Sequence, residues 1–257
     1  MGQALDPIRR PFGPDDLATI ARPLGVERTI VVQTVSSVLE TQEFLATAAS
    51  HDLVAGVIGW VDLMEPDVAR AITRLRSSEG GAKLVGIRHQ VHDEGDPEWL
   101  LRDDVQRGLD AVEEAGLAYD LLVRTRELPA AHAAARRHPQ LRFVIDHAAK
   151  PHIASGPKDH AWEEAMEPLA ELPNVTCKIS GLVTEADWSR WRPSDLEPYV
   201  KKVLEWFGPE RCIFGSDWPV CLVAASYDKV LETIKTTVGN DEDVMTRTAT
   251  RVYGLGA

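Results

Sequence analysis

Cysteine is scarce in this chain. Cys177, Cys212 and Cys221 are the only three in 257 residues, too few and too scattered for a disulfide framework or a zinc cluster. Two of them sit in apolar runs, where a thiol reads as a small buried hydrophobe, and a reducing cytoplasm is the expected setting. No run of about 18 apolar residues occurs, and the N-terminal stretch lacks the apolar region of a signal peptide, so no membrane partner is expected. Positive charge is in deficit: 28 Lys and Arg against 40 Asp and Glu leave a net charge of −12. With a pI near 5.1, that balance argues against a nucleic-acid partner or an anionic bilayer. The first 16 residues, MGQALDPIRRPFGPDD, hold three prolines and no β-branched run, so they cannot supply a buried strand.

What the chain does contain is alternation. Strand-like runs are read at 29–33, 53–63, 84–91, 118–123, 142–146, 175–179 and 211–214. Helical spacing is read between them at 40–49, 67–75, 103–115, 129–137, 161–172 and 196–207, and again at 226–237. Gly116 stands where the third of these helices must stop. Short connections between β and α segments imply a parallel sheet with helices packed outside it. There is no linker, repeat or low-complexity tract, so one domain over 1–257 is expected. A closed (β/α)8 barrel has eight strands, whereas seven are read here. The expectation is an α/β barrel whose first strand is absent from this chain. An open sheet, or an edge covered by another chain, is the alternative, and an open edge favours a homo-oligomer.

Three of the apolar runs deliver ionisable residues at the same end. Residues 211–219 (RCIFGSDWP) present Asp217 beside Trp218 and Pro219. Residues 143–151 (FVIDHAAKP) present Asp146, His147 and Lys150, and residues 84–90 (LVGIRHQ) present Arg88 and His89. Ionisable groups at the C-terminal ends of several parallel strands share one mouth, as the catalytic residues of barrel enzymes do. Arg88 and His89 are adjacent, so their side chains point to opposite faces unless a bulge re-aims one. Lys178 lies inside an apolar strand and must find a partner, either an acid or the site itself. Trp60 and Trp218, at strand ends, are either an apolar platform for a ligand or rim aromatics. Trp188 and Trp191 make their loop either a lid or a stapled surface loop.

At these residues the chain resembles the amidohydrolase-related sugar lactonases, which include fuconolactone, rhamnonolactone, sulfomuconolactone and pyrone-dicarboxylate lactonases. The resemblance runs from about Pro11 to Tyr253. Its carriers are VIGWVDL (57–63), GIRHQ (86–90), DHAAKP (146–151), CKISGL (177–182) and FGSDWPV (214–220). It implies a (β/α)8 barrel of amidohydrolase type and hydrolysis of a small lactone. The family's usual opening, a strand carrying His-x-His followed by a Trp-containing loop, has no counterpart here, since the first histidine is His51. Thr248 stands where the family often has Asn.

Opening a lactone requires a water to lose a proton, a carbonyl to be polarised and a departing alkoxide to be protonated. Asp217 suits the two proton transfers, because burial tunes a carboxyl toward neutral pH. Pro219 argues against its being a helix cap. His147 is expected to polarise the carbonyl, orient the water or bind a metal. Arg88, His89, Lys150, Trp60 and Trp218 are the expected substrate contacts, with a small molecule as the partner. Without His-x-His, His147 and Asp217 are an incomplete ligand pair, so no firmly bound metal is expected in this chain. A zinc-like divalent ion belongs to a form that carries the first strand. A metal-dependent decarboxylation on the same barrel, or an inactive barrel scaffold, are the other readings.

Overall fold

The computed structural model describes residues 3–256. The strands are β1 (Thr29–Val32), β2 (Val54–Gly59), β3 (Leu84–His89), β4 (Ala118–Leu121), β5 (Arg142–Ile145), β6 (Val175–Ile179) and β7 (Cys212–Phe214). Helix α1 (Pro14–Ala21) precedes them, and α2 (Val38–Ser50), α3 (Val68–Arg76), α4 (Asp103–Glu114), α5 (Leu128–Arg137) and α6 (His160–Ala170) follow the first five. After β6 come the short α7 (Leu182–Glu185) and α8 (Pro193–Phe207), and after β7 come α9 (Tyr227–Val238) and α10 (Thr248–Tyr253).

All seven strands form one parallel sheet in chain order, each joined to the next by a βα unit. That is the winding of a TIM-barrel-type fold, here a curled half-barrel. Helix starts follow local chemistry: Ser37 accepts from the Glu40 amide at the head of α2, and Asp159 from the Trp162 amide at the head of α6. Gly116 adopts φ +66° just beyond α4, the left-handed stop expected of it. The run read at 53–63 is a strand only to Gly59, and Trp60 opens the loop. The final strand begins at Cys212, since Pro209–Arg211 is a 3-10 turn.

One apolar layer packs the convex face of the sheet against the helices, with Tyr119, Phe143, Cys177, Ile179 and Cys212 beneath Trp162, Tyr199 and Phe207. A second, smaller cluster joins Ile58, Val85, Ala118, Val144 and Ile213 to Val252 and Tyr253. Helix α10, not anticipated from sequence, therefore packs on the concave face. Among the described residues β1 and β7 each have one strand neighbour only. All four residues of β1 are half-buried, whereas β3 and β4 are buried throughout.

Candidate active site

The concave face carries a chain of paired charges. The Arg88 guanidinium donates to Asp146 Oδ2 at 2.8 Å, to Gln33 Oε1 at 3.1 and 2.9 Å, and to the Gln33 carbonyl. Lys178 Nζ lies 2.7 Å from Asp146 Oδ1 and pairs with Asp120 as well. The Tyr253 hydroxyl donates to both Asp120 oxygens at 3.0 Å. Every member is buried, so each charge relies on these partners alone. Burial works against ionisation of Asp146, but Lys178 and Arg88 outweigh it and hold its carboxyl below the usual carboxylate range. Burial pushes Asp120 up to about 6 against the pull of Lys178. The lysine expected to need a partner has two.

Above this floor the chain delivers the mouth residues through unusual backbone. Among the described residues, the non-glycine positions with positive φ are His147, Ala148, Ala149, Lys150 and Asp217. Four consecutive left-handed residues are costly for L-amino acids, by about 1–2 kcal/mol each, and persist only where the surroundings over-determine them. Here Trp162 donates to the Ala148 carbonyl at 2.6 Å, and the Lys150 amide to the His147 carbonyl at 2.8 Å. The His147 ring lies over Gly181, where an added Cβ would come within 2.6 Å of Nδ1. Only glycine leaves room for the ring there.

This turn brings His147 and Asp217 together. Nε2 of His147 is 3.8 Å from Asp217 Oδ1, with the side chains 12% and 15% exposed. Nδ1 of His147 is 2.9 Å from Ser180 Oγ. Burial pushes the Asp217 carboxyl up to about 7, Lys150 opposing and Asp146 reinforcing it. Burial also pushes His147 down to about 3, despite the pull of Asp146, so at neutral pH the ring is uncharged. Lys150 Nζ pairs with Glu185 Oε1 at 2.8 Å, and Arg124 Nη1 reaches Glu185 Oε2 at 3.4 Å. Glu185, Arg124 and Ser180 were not legible as site residues.

The remaining expected contacts fall elsewhere. Arg88 points inward, but its nitrogens are taken by Asp146 and Gln33, so it builds the floor instead of standing free for a ligand. His89 departs from expectation because alternation along β3 sends it to the other face. There Nδ1 accepts from Trp60 Nε1 at 3.0 Å, Nε2 lies 2.7 Å from Glu94, and the ring stacks on Trp99 at 4.3 Å. The structure therefore gathers His89 and Trp60 into a separate aromatic cluster, not onto His147 and Asp217. Trp218 packs edge-on against Phe12 at 5.1 Å, as a rim aromatic. In the long loop Trp191 is buried and donates to the Ala224 carbonyl, while Trp188 is 37% exposed. As possible metal donors His147 and Asp217 stand as a pair: among the described residues no three His, Cys, Asp or Glu side chains group so as to hold an ion.

Comparison with known proteins accords with this architecture. The profile of the family described as Amidohydrolase matches residues 2–255. An L-fucono-1,5-lactonase from Burkholderia ambifaria is 45% identical over 229 residues, covering 88% of this chain and 76% of that protein. A second L-fucono-1,5-lactonase, from Burkholderia multivorans, is 40% identical over 244 residues, 91% of this chain and 81% of its own. A crystal structure of a Burkholderia multivorans amidohydrolase with bound zinc superposes with a TM-score of 0.93 at 36% identity, over 99% of this chain and 93% of that one. The chain belongs to the amidohydrolase family.

Proposed function

We propose that this protein hydrolyses the ring ester of a small sugar-acid lactone, with Asp217 as the proton carrier and neutral His147 as the electrophile. The observation that carries the reading is the buried carboxyl of Asp217, poised near pH 7, 3.8 Å from an uncharged imidazole. The 40–45% identity to two L-fucono-1,5-lactonases points to the polyhydroxylated 1,5-lactones as the first substrates to try.

The residues divide the work as follows. Ser180 Oγ–H donates to His147 Nδ1, which leaves the neutral ring with its proton on Nε2, facing the space beside Asp217. A water between the two groups gives a proton to the Asp217 carboxylate as it attacks the lactone carbonyl, and Nε2–H stabilises the oxygen that gains charge. When the tetrahedral centre collapses, the ring oxygen leaves and takes the proton back from Asp217. The product is an open hydroxy acid, whose new carboxyl releases its proton to solvent. A carboxyl near neutrality serves both transfers well, since it is neither too weak a base to take the first proton nor too weak an acid to return it.

The Burkholderia multivorans structure binds zinc. In this chain the described residues offer His147 and Asp217 without a third donor, and such a pair is too few for a closed or catalytic zinc site. The residues present do not fit the ion as a ligand set, and no step here is routed through one.

The test is proton release on a panel of five- and six-membered sugar lactones by this chain and by Asp217→Asn. Turnover that falls by about 10³-fold or more in Asp217→Asn, with the melting curve retained, is the expected result. Equal turnover in both proteins would remove Asp217 from the mechanism.

A further inference from the structure

The topology places four charged groups on an arc of neighbouring strand ends. Arg124 follows β4, Lys150 follows β5, Glu185 closes α7 after β6, and Asp217 follows β7. Three of them form a chain: Lys150 Nζ to Glu185 Oε1 at 2.8 Å, and Arg124 Nη1 to Glu185 Oε2 at 3.4 Å. Glu185 and Lys150 are 13% and 15% exposed, Arg124 41%. Glu185 and Lys150 are therefore sheltered without being sealed from solvent, and Arg124 is the open end of the chain. Both Lys150 and Glu185 act electrostatically on Asp217, so the chain lies within electrostatic reach of the proton carrier.

We infer that the Arg124–Glu185–Lys150 chain is the part of the mouth that recognises the ring hydroxyls of the substrate, with Glu185 as the specificity-determining residue. This rests on the lactonase reading of the same site. Each Glu185 oxygen holds one cation and keeps a second lone pair. Two adjacent hydroxyls can donate to the two oxygens while Lys150 and Arg124 stay in place. Lys150 keeps N–H groups to donate back to a hydroxyl oxygen. None of the groups is needed by the ester itself, whose carbonyl and ring oxygen are served by His147 and Asp217. A lactone without hydroxyls displaces water from the two remaining lone pairs of Glu185 and gives them no donor, so a site of this kind disfavours it.

The experiment compares kcat/KM of wild type and Glu185→Gln on L-fucono-1,5-lactone and on unsubstituted δ-valerolactone. The expected result is a fall of about 30- to 100-fold on the hydroxylated ring and no more than about threefold on the bare one. An equal fall on both, or no change on either, overturns the inference, because a merely structural Glu185 cannot distinguish the two rings. Should Glu185→Gln fail to fold, Arg124→Gln alters a more exposed side chain and carries the same comparison with a smaller fall. Calorimetric binding of the non-hydrolysable lactam of the same sugar acid separates this inference from the lactonase reading. A chain inert toward every lactone, whose lactam binding still weakens at least tenfold in Glu185→Gln, upholds hydroxyl recognition and sinks hydrolysis. Lactam binding indifferent to the substitution overturns the hydroxyl-reading role whatever the turnover.

Discussion

Asp146 and Asp217 are both carboxylates at the C-terminal ends of strands in one sheet, with side chains 1% and 15% exposed. They hold their protons oppositely. Asp146 has Arg88 at 2.8 Å and Lys178 at 2.7 Å, and stays ionised below the usual carboxylate range. Among the described residues Asp217 makes no ion pair with a Lys or Arg; its partner at 3.8 Å is the neutral His147, and burial lifts it to about 7. Burial is common to both, so burial alone does not make a working acid–base group. Pairing decides. The floor of the barrel uses its cations to fix charges, and the mouth leaves one carboxyl uncompensated so that it can exchange a proton.

The largest effect should come from breaking the floor. Lys178→Met leaves Asp120 and Asp146 facing one another without their shared cation. Loss of one partner from a buried ion network costs about 3–5 kcal/mol, to be read from urea unfolding of the variant beside wild type. A change below about 1 kcal/mol would mean that water reaches the network and screens it.

The next effect sharpens the contrast through pH. Unfolded, Asp217 releases its proton near 3.8, whereas folded it keeps it to about 7. Across that window the folded chain binds more protons than the unfolded one, so this residue makes stability fall as pH rises from about 4 to 7. Asp217→Asn removes the decline and should gain roughly 2–4 kcal/mol at pH 8, each pH unit being worth about 1.4 kcal/mol. Asp146 has the reverse sign. Its folded carboxyl is a stronger acid than its unfolded one, so its contribution is present above the unfolded value and is lost as pH falls below it. Melting curves of Asp217→Asn and Asp146→Asn between pH 3 and 8 should therefore depart from wild type in opposite directions as pH rises, Asp217→Asn toward higher and Asp146→Asn toward lower stability. Parallel curves would refute the comparison.

The smallest effect concerns the ring between them. Ser180→Ala removes the hydroxyl 2.9 Å from His147 Nδ1 and with it the choice of tautomer. A fall in kcat of about tenfold, with KM little changed, is expected for the loss of one orienting hydrogen bond. A change confined to KM would place Ser180 in binding instead.

Much of this arrangement was legible in the residues. Apolar runs ending in charged groups located three of the strand ends that matter, and the single lysine inside an apolar strand announced a buried partner. Asp120, in the run AYDL, carried the same signal and could have been matched to Lys178. Other members had no local mark. Gln33 closes a β-branched run as any polar residue could, and Glu185 ends the single turn of α7 just ahead of a loop rich in charge. Tyr253 finds its partner 133 residues away, a distance no periodicity reports. The opposite fates of Arg88 and His89 followed from strand alternation. Which of the two met a carboxylate depended on tertiary packing.

The hydroxyl of Tyr253 also sets a schedule for synthesis. Asp120 leaves the ribosome 133 residues ahead of the side chain that donates to both its oxygens. At roughly 5–20 residues per second, that gap lasts on the order of ten seconds. Lys178 emerges in the meantime and can meet Asp120 and Asp146, but the phenol and the apolar face of α10 come only with the last turn of helix. A nascent chain can lay down its βα units in order. It cannot seal the inside of its own sheet until α10 has emerged, and a ribosome stalled ahead of Tyr253 would hold a sheet whose concave face is still wet.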